Sequence, residues 1–315
     1  MRLRPLGLLL GLALLAACTS FPSPDERRQQ AAQLAQEQHW QALELEAGIF
    51  RLQAYAPQRW VKDEVLTLYL EGDGFAWRNA RQPSLDPTPL NPLALRLALA
   101  QPRGNAAYLG RPCQYLGSTS APCQTRYWTA ARFAEEVVHS LDRATEQLKQ
   151  RAGAQRLVLI GYSGGGALAL LLAARRNDVA RVITVAGNLD HTAWTRHHRV
   201  TPLLGSLNPA ALRPQLAGVE QVHLLGEQDR TIPPHLVESF VAGYPPGNRA
   251  QVSVLAGYDH RCCWVQHWAQ LWQQNVAPLP HFPLSTRVHS RVLKRMPAGD
   301  RVLIGNSESS TEDGG

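Results

Sequence analysis

The sequence predicts an α/β protein with a mainly parallel sheet and helices on both faces. Short apolar runs of strand length recur along the chain, and helical patterns separate them. This alternation is typical of parallel sheets, because each crossover lays a helix against one face of the sheet. The clearest unit is residues 156–176, where an apolar strand pattern, a glycine-rich turn and strong helix formers follow one another.

The individual elements are assigned from apolar runs and from helix-forming composition. Strands are predicted at Ile49–Ala54, Val65–Leu70, Leu157–Ile160, Val179–Val185, Gln221–Leu225 and Gln251–Leu255. Helices are predicted within Asp25–Ala47, at about Tyr127–Gln150, at Ala167–Ala174, near Pro233–Ala242 and over Cys262–Gln274. Active residues of such sheets gather at the carboxyl ends of the strands, so candidates are sought there.

The turn after Leu157–Ile160 carries a G-x-S-x-G motif formed by Gly161, Ser163 and Gly165. This pattern is typical of a nucleophile elbow, in which a serine stands on a sharp strand-to-helix turn. The serine backbone is strained there, and side chains two residues to either side would collide, so glycine is needed. The motif alone is weak evidence, and it needs partner residues to support a catalytic interpretation.

An acid and a histidine follow the last two predicted strands. Asp229 lies a few residues beyond Gln221–Leu225, and a buried carboxylate there would orient an imidazole. Asp190 and then Glu227 are the alternatives for this acid. His260 lies just after Gln251–Leu255, and the adjacent Asp259 is a poor partner because its side chain diverges. The other histidines are interpreted as solvated or packing residues.

These motifs resemble those of the α/β-hydrolases, and more closely those of a group of proteobacterial lipoproteins with that fold. The resemblance covers about Ile49–Asn275. It rests on EGDGFAW at Glu71–Trp77, the elbow at Gly161–Gly166, VAGNLDHTAW at Val185–Trp194 and HRCCW at His260–Trp264. It implies an α/β-hydrolase fold with a short flap within Gly187–Leu216, and the chain order Ser163, Asp229, His260 is the order of that family.

The resemblance also implies an oxyanion hole. The loop Glu71–Phe75 occupies the place from which these enzymes supply one backbone N–H, here that of Asp73 or Gly74. The second N–H would come from Gly164, the residue after the nucleophile. We expect the carboxylate of Asp73 to point away from the oxyanion or to recognise a cationic substrate group.

The N-terminus predicts export and lipid anchoring. Residues 1–17 have a basic start, an apolar core at Leu6–Leu15 and small residues before Cys18, as in a bacterial lipoprotein signal peptide. Cys18 would be lipidated, which locates the protein at the bacterial cell envelope, facing the periplasm, with the outer membrane favoured because Thr19 follows. Three further regions are predicted: a tether and short helix at 18–48, the hydrolase domain at 49–280 and a disordered tail at 281–315.

Export places the remaining four cysteines in an oxidising compartment. A disulfide between Cys113 and Cys123 is preferred, leaving Cys262 and Cys263 as a vicinal disulfide or as thiols. No cysteine or histidine group has the spacing of a metal site, and no cofactor is predicted.

The charge pattern does not indicate nucleic-acid binding. The formal net charge is +7, and it falls by two to +5 when Arg2 and Arg4 leave with the signal peptide. Lysine is scarce and the arginines are scattered, so no basic stripe with interleaved aromatic residues is formed.

The hypothesis is therefore a serine hydrolase that cleaves an ester-like bond of a small molecule through a covalent acyl-enzyme. The alternative is a lipid-anchored binding or envelope-assembly protein that has kept the scaffold without turnover.

Overall fold

An eight-stranded sheet forms the centre of the protein in the computed structural model, which describes residues 21–117 and 121–276. The strands are β1 (Trp40–Ala47), β2 (Phe50–Pro57), β3 (Val65–Leu70), β4 (Trp77–Asn79), β5 (Gln82–Pro83), β6 (Asn105–Leu109), β7 (Arg156–Tyr162), β8 (Val179–Val185), β9 (Gln221–Gly226) and β10 (Ala250–Leu255). The helices are α1 (Pro24–Glu37), α2 (Leu93–Leu99), α3 (Glu135–Ala152), α4 (Gly164–Ala173), α5 (His191–His198), α6 (Arg213–Leu216), α7 (Pro234–Ala242) and α8 (Trp268–Asn275).

The sheet has the order β1-β2-β6-β3-β7-β8-β9-β10, with β4 and β5 forming a separate hairpin. In the order from β6 to β10 all neighbouring strands are parallel, whereas at one edge β1 pairs antiparallel with β2 and β2 pairs antiparallel with β6. The expectation of a mainly parallel sheet is thus confirmed.

Helices cover both faces of the sheet, because the central strands carry apolar side chains on both faces. Leu157 and Leu159 of β7 belong to one hydrophobic core with α3, α4 and α7, whereas Val158 and Ile160 belong to a second core with α1, α2 and α8. Successive strand residues point to opposite faces, so a strand that is apolar throughout can be buried on both sides. Helix α4, which begins immediately after Ser163, is buried along its whole length.

The N-terminal region differs from the prediction of one short helix in residues 25–47. Helix α1 starts with a capping box between Ser23 and Glu26 and ends at Glu37, and it packs on the domain through Ala31 and Ala35. The following segment is the edge strand β1, with Leu45 opposite Leu52 of β2. Its sequence, WQALELEA, alternates polar and apolar residues, a strand pattern that the preceding Gln/Ala-rich composition obscured. The domain therefore includes residues assigned to the tether.

Other helices and strands also differ from their predicted bounds. The pattern at Tyr127–Gln150 contains a short 3-10 helix at Thr125–Trp128 before α3, and the closing helix begins at Trp268 instead of Cys262. Strand β6 and helix α2 were not predicted. Within the predicted flap region the structure has α5, a 3-10 helix at Pro209–Leu212 and α6.

Both cysteine pairs in the described residues are bonded. Cys113 and Cys123 form a disulfide with their Cα atoms 5.6 Å apart, and Cys262 and Cys263 form a vicinal disulfide. The predicted signal peptide, the acceptor Cys18 and the predicted tail at 281–315 lie outside the described residues. Within residues 21–117 and 121–276, no helix has the length and apolarity that crossing a membrane requires.

Candidate active site

Ser163 stands at the turn between β7 and α4, at the carboxyl end of a central strand. Its backbone has φ 52° and ψ −118°, a conformation that residues with a side chain seldom adopt. The turn is held by hydrogen bonds from the Ser163 N–H to the Val185 carbonyl (2.9 Å) and from the Asn188 N–H to the Ser163 carbonyl (3.0 Å). A strained serine held by its neighbours in this way presents its hydroxyl above the sheet.

The glycines of the motif are required by close backbone approach. A Cβ on Gly161 would overlap the carbonyl group of Gly165, and a Cβ on Gly165 would overlap the carbonyl oxygen of Leu70 in β3. The G-x-S-x-G pattern therefore reflects the tight passage of α4 across the ends of β7 and β3. Neither position has room for even a methyl group.

A hydrogen-bonded chain joins Ser163, His260 and Asp229. The Nε2 atom of His260 lies 3.1 Å from Ser163 Oγ, and its Nδ1 atom lies 2.8 Å from Asp229 Oδ2. The Asp229 carboxylate is buried, and its Oδ1 accepts the backbone N–H groups of Thr231 and Ile232, each at 2.8 Å. These bonds fix the second oxygen of the carboxylate toward the imidazole. The three predicted catalytic side chains are thus together.

The alternative acids lie elsewhere. Asp190 caps α5 by accepting the N–H groups of Thr192 and Ala193, and it also accepts a bond from the Asn208 amide at 2.8 Å. Glu227 is exposed and its carboxylate accepts the Gly257 N–H at 3.4 Å. Both carboxylates have their own structural partners, and neither is bonded to His260.

Two residues beside His260 fix its position. The Tyr162 hydroxyl donates to the His260 carbonyl at 3.1 Å, and the two rings lie 5.3 Å apart. Asp259 builds the turn by accepting the N–H groups of Arg261 and Cys262. Asp259 therefore does not pair with His260, as expected, while the contribution of Tyr162 was missed. We call Asp229, His260 and Tyr162 the acid–base wall of the cleft.

The loop Glu71–Phe75 forms the opposite side, here called the oxyanion wall together with Arg111 and Arg132. Gly72 lies against Ser163: a Cβ placed on it would be 3.3 Å from the serine Cβ. The N–H of Glu71 donates to Leu109, that of Gly72 to the Glu71 carboxylate and that of Phe75 to Pro87. Within the described residues, the N–H groups of Asp73 and Gly74 have no acceptor, so these two predicted donors are the ones left available.

The Asp73 carboxylate is bound by two buried arginines. Arg111 Nη1 contacts one carboxylate oxygen and Arg132 Nη1 contacts the other. Arg111 also donates to the Arg132 carbonyl at 2.6 Å, and Arg132 donates to the Thr129 carbonyl at 2.7 Å. Burial opposes ionisation of Asp73, but the charges and hydrogen bonds of Arg132 and Arg111 outweigh it and lower its pKa. The cationic partners of Asp73 are therefore the protein's own side chains.

The position of this cluster matters for the second predicted donor. A Cβ on Gly164 would overlap the Asp73 carboxylate and would lie 3.0 Å from Arg111 Nη1. The cluster holds one negative and two positive charges, so it leaves a net positive charge beside the Gly164 backbone. The Asp73 carboxylate, which alone would repel an oxyanion, is in this way neutralised by the two arginines.

Glu71 occupies a different environment two residues earlier. Its buried carboxylate accepts the Gly72 N–H at 2.9 Å and the Tyr108 hydroxyl at 3.1 Å, and Tyr108 is in turn 2.8 Å from the Tyr115 hydroxyl. Burial raises the pKa of Glu71 to about 7, although these hydrogen bonds act in the opposite direction. The side chain thus fixes the loop from beneath, a contribution that the sequence analysis did not assign.

The remaining histidines lie outside this chain of contacts. His223 is a core residue bonded to Thr184 Oγ1 at 2.9 Å, and burial lowers its pKa to about 3. His267, predicted inside the last helix, is the residue that precedes it. Among the described residues, no group of three or more His, Cys, Asp or Glu side chains has the arrangement of a metal site.

An open groove of about 830 Å³ adjoins the acid–base wall. It is lined by Asp229 and His260 and by charged side chains of both signs, among them Arg230, Arg261 and Glu227. A substrate would therefore meet a polar and solvent-accessible entrance on this side of Ser163.

Comparison with known proteins supports the fold that these features indicate. The family model for the alpha/beta hydrolase fold matches residues 114–203, which include the elbow. The structure is similar to esterase Pf2001 of Pyrococcus furiosus, with a TM-score of 0.53, 12% identity, and coverage of 76% of this chain and 92% of that one. The protein has the α/β-hydrolase fold.

Two further structures with that fold are similar. An alpha-beta serine hydrolase homologue from Coxiella burnetii has a TM-score of 0.51 and 15% identity, over 76% of this chain and 97% of that one. An acylaminoacyl peptidase from Pyrococcus horikoshii has a TM-score of 0.56 and 10% identity, over 78% of this chain and 42% of that one. A search of curated proteins gave no match. At these identities, the likeness concerns the fold.

Proposed function

We propose that this protein is a serine hydrolase that cleaves an ester-like acyl bond. The observation that carries the proposal is the continuous hydrogen-bonded chain from Ser163 Oγ through His260 to the buried Asp229 carboxylate. A nucleophile, a base within hydrogen-bond reach and a group that orients the base are together the signature of an activated nucleophile. The esterase and serine hydrolase homologue among the similar structures are consistent with this chemistry.

In the proposed reaction, His260 Nε2 takes the proton of Ser163 as Oγ attacks the substrate carbonyl. The backbone N–H groups of Gly164 and of Asp73 or Gly74 would bind the oxygen that becomes negative, each donor contributing on the order of 3 kcal/mol. His260 then gives its proton to the departing alcohol, which leaves an acyl group on Ser163. Water, deprotonated by His260, attacks this ester and releases the acid and the free serine.

The two walls would divide this work. Asp229 keeps the imidazole proton on Nδ1 and stabilises the imidazolium, so that Nε2 is free to accept the serine proton. Arg111 and Arg132 neutralise Asp73, so that the loop can offer its N–H groups without an opposing charge. Glu71 holds the same loop through the Gly72 N–H.

The proposed location is the bacterial cell envelope. The sequence before Phe21 has the features of a lipoprotein signal ending at Cys18, which would tether the domain to a membrane on its periplasmic side. Mass spectrometry of the mature N-terminus tests this part, because lipidation changes the mass and removes residues 1–17.

Hydrolysis of p-nitrophenyl esters of short and long acyl chains, together with fluorophosphonate labelling, tests the activity. We expect turnover and labelling in the wild type and neither in Ser163→Ala. Failure of both across the panel would contradict the proposal and favour a binding or assembly protein on the same scaffold.

A further inference from the structure

Two loops that follow strands of the catalytic cleft carry the most exposed large apolar side chains among the described residues. Leu204 is 88% exposed and Leu85 is 80% exposed. Leu85 ends the hairpin loop (residues 76–85), which follows β3 and the oxyanion wall. Leu204 lies in the flap loop (residues 196–207), which is the name used here for the last residues of α5 and the chain after it. A single exposed leucine is ordinary, but two on loops of one surface give that surface an apolar component.

The two loops contact the same segment and so belong to one surface. In the hairpin loop, the Ser84 carbonyl accepts the Trp128 indole N–H at 3.1 Å. In the flap loop, the Ser206 hydroxyl donates to the Ala130 carbonyl at 2.9 Å. Residues 125–133 therefore lie between the loops, and Arg132 of this segment reaches the oxyanion wall.

The charge of both loops has one sign. Each loop contains two arginines and no aspartate or glutamate: Arg78 and Arg81 in the hairpin loop, Arg196 and Arg199 in the flap loop. All four are exposed, and the ion pairs of residues 21–117 and 121–276 include none of them. Loops that combine exposed leucines with unpaired arginines suit a membrane of anionic lipids, whose acyl chains are apolar and whose headgroups are negatively charged.

The chain enters the domain beside this surface. The Phe21 ring lies 4.8 Å from the ring of Phe75, the last residue of the oxyanion loop, and both rings line a cavity with Arg78 and Leu85. Cys18 precedes Phe21 by three residues, which span at most about 10 Å when extended. A lipid on Cys18 would therefore enter a membrane next to the hairpin loop.

We propose that the hairpin loop and the flap loop dock on an anionic phospholipid surface, so that the mouth of the catalytic cleft faces the membrane. The substrates would be ester-like molecules presented at that surface. The substrate class in this proposal rests on the proposed function, and the membrane anchor rests on lipidation of Cys18. A second copy of the chain is the competing occupant, but two surfaces that each carry four unpaired arginines would repel each other.

Fluorescence quenching by lipids with brominated acyl chains measures the docking. The full chain, carrying Ser163→Ala so that hydrolysis cannot intervene, is incorporated into vesicles of phosphatidylcholine with phosphatidylglycerol. Trp77 lies in the hairpin loop and is 41% exposed. Its fluorescence is obtained by subtracting the emission of the Trp77→Phe variant from that of this protein. We expect brominated lipid to quench Trp77, and we expect severalfold less quenching on vesicles of phosphatidylcholine alone or at high salt.

Two double variants provide the matched comparison. Leu85→Ser/Leu204→Ser removes the apolar tips and should lower the ratio of docked to undocked protein at least about tenfold, given the apolar area lost. The control, Val61→Ser/Val254→Ser, changes exposed apolar residues outside both loops and should not change the ratio of docked to undocked protein. Unchanged melting temperatures show that both variants are folded.

Three results would overturn the proposal: no quenching of Trp77, equal losses in the two double variants, or a vesicle-independent dimer that the tip variant dissociates. Because docking is read in Ser163→Ala, its failure is separate from a failure of the proposed hydrolysis. A protein that docks but hydrolyses no ester would contradict the proposed function and leave the docking surface intact.

Discussion

The acid–base wall and the oxyanion wall of the cleft each contain an aspartate, and the two carboxylates are held by contacts of very different sequence separation. On the acid–base wall, Asp229 is fixed by N–H groups two and three residues ahead in its own turn. On the oxyanion wall, Asp73 is fixed by arginines 38 and 59 residues away in sequence. The carboxylate of Asp229 is therefore held within its own turn, whereas that of Asp73 depends on the assembled fold.

This difference predicts how each wall fails. A conservative change on the acid–base wall should remove chemistry and leave the fold, because its contacts with the backbone survive. A change on the oxyanion wall should reduce stability and activity together, since it removes a partner from a charge that is mostly shielded from water.

Among substitutions on the two walls, Asp229→Asn should have the largest effect on activity. Asparagine keeps an oxygen for the Thr231 and Ile232 N–H groups but stabilises the wrong tautomer of His260, so kcat/KM should fall about 10⁴-fold with little change in melting temperature. Ester hydrolysis measures this. The matched control is Asp190→Asn, which should leave kcat/KM within severalfold because Asp190 only caps α5. An equal loss in both variants would contradict the assignment of the acid.

Arg132→Met should have the largest effect on stability. It removes a buried arginine that is one of the two partners of the partly buried Asp73 carboxylate, and it should cost about 3–5 kcal/mol in the free energy of unfolding. Arg51→Met, which breaks an exposed pair with Glu44, should cost at most about 1 kcal/mol. Denaturant unfolding compares the two.

A second substitution distinguishes charge from packing in that result. Arg132→Met/Asp73→Asn removes the buried charge as well as its partner, so part of the lost stability should return. No recovery would show that the arginine acts by packing and would contradict the neutralisation of Asp73.

Glu71 should make stability pH-dependent. Its pKa is raised from 4.5 to about 7 by burial, so the folded state holds a proton that the unfolded state has released. Stability should therefore fall as the pH rises from 4.5 to about 7, by about 3 kcal/mol at 1.4 kcal/mol per unit. Relative to Glu71→Gln, the wild type should lose stability across this window. A difference that is constant with pH would contradict the raised pKa.

Gly161→Ala should have the smallest of these effects, about 1–3 kcal/mol of stability with a loss of activity. Its new methyl group would overlap the Gly165 carbonyl, which has no flexible side chain to move aside. Gly218→Ala is the control, because nothing lies within 4 Å of the position of its Cβ. Thermal unfolding of the two variants should separate them.

Ser163, Asp229 and His260 could be predicted from the sequence because their positions follow a local rule, whereas Tyr162 could not. Ser163, Asp229 and His260 each lie a few residues beyond an apolar strand, and the carboxyl ends of parallel strands meet at one edge of the sheet. Strands β3 and β8 have the predicted bounds for the same reason, since their apolar runs end sharply at turns.

The oxyanion wall could be predicted only in part. The loop Glu71–Phe75 was found from its position after β3, but no spacing rule connects Asp73 with Arg111 or Arg132. Burial of arginine is also uncommon, so scattered arginines gave no signal. Strand β1 was missed for a comparable reason, because its pairing with β2 outweighs the helical composition around it.

The measurement that tests the central claim most directly is the site of covalent modification. Wild type and Ser163→Ala are treated with a fluorophosphonate, digested and sequenced by tandem mass spectrometry. We expect one phosphonylated residue, Ser163, in the wild type and no adduct in the variant. An adduct on another residue, or labelling that persists in Ser163→Ala, would contradict it.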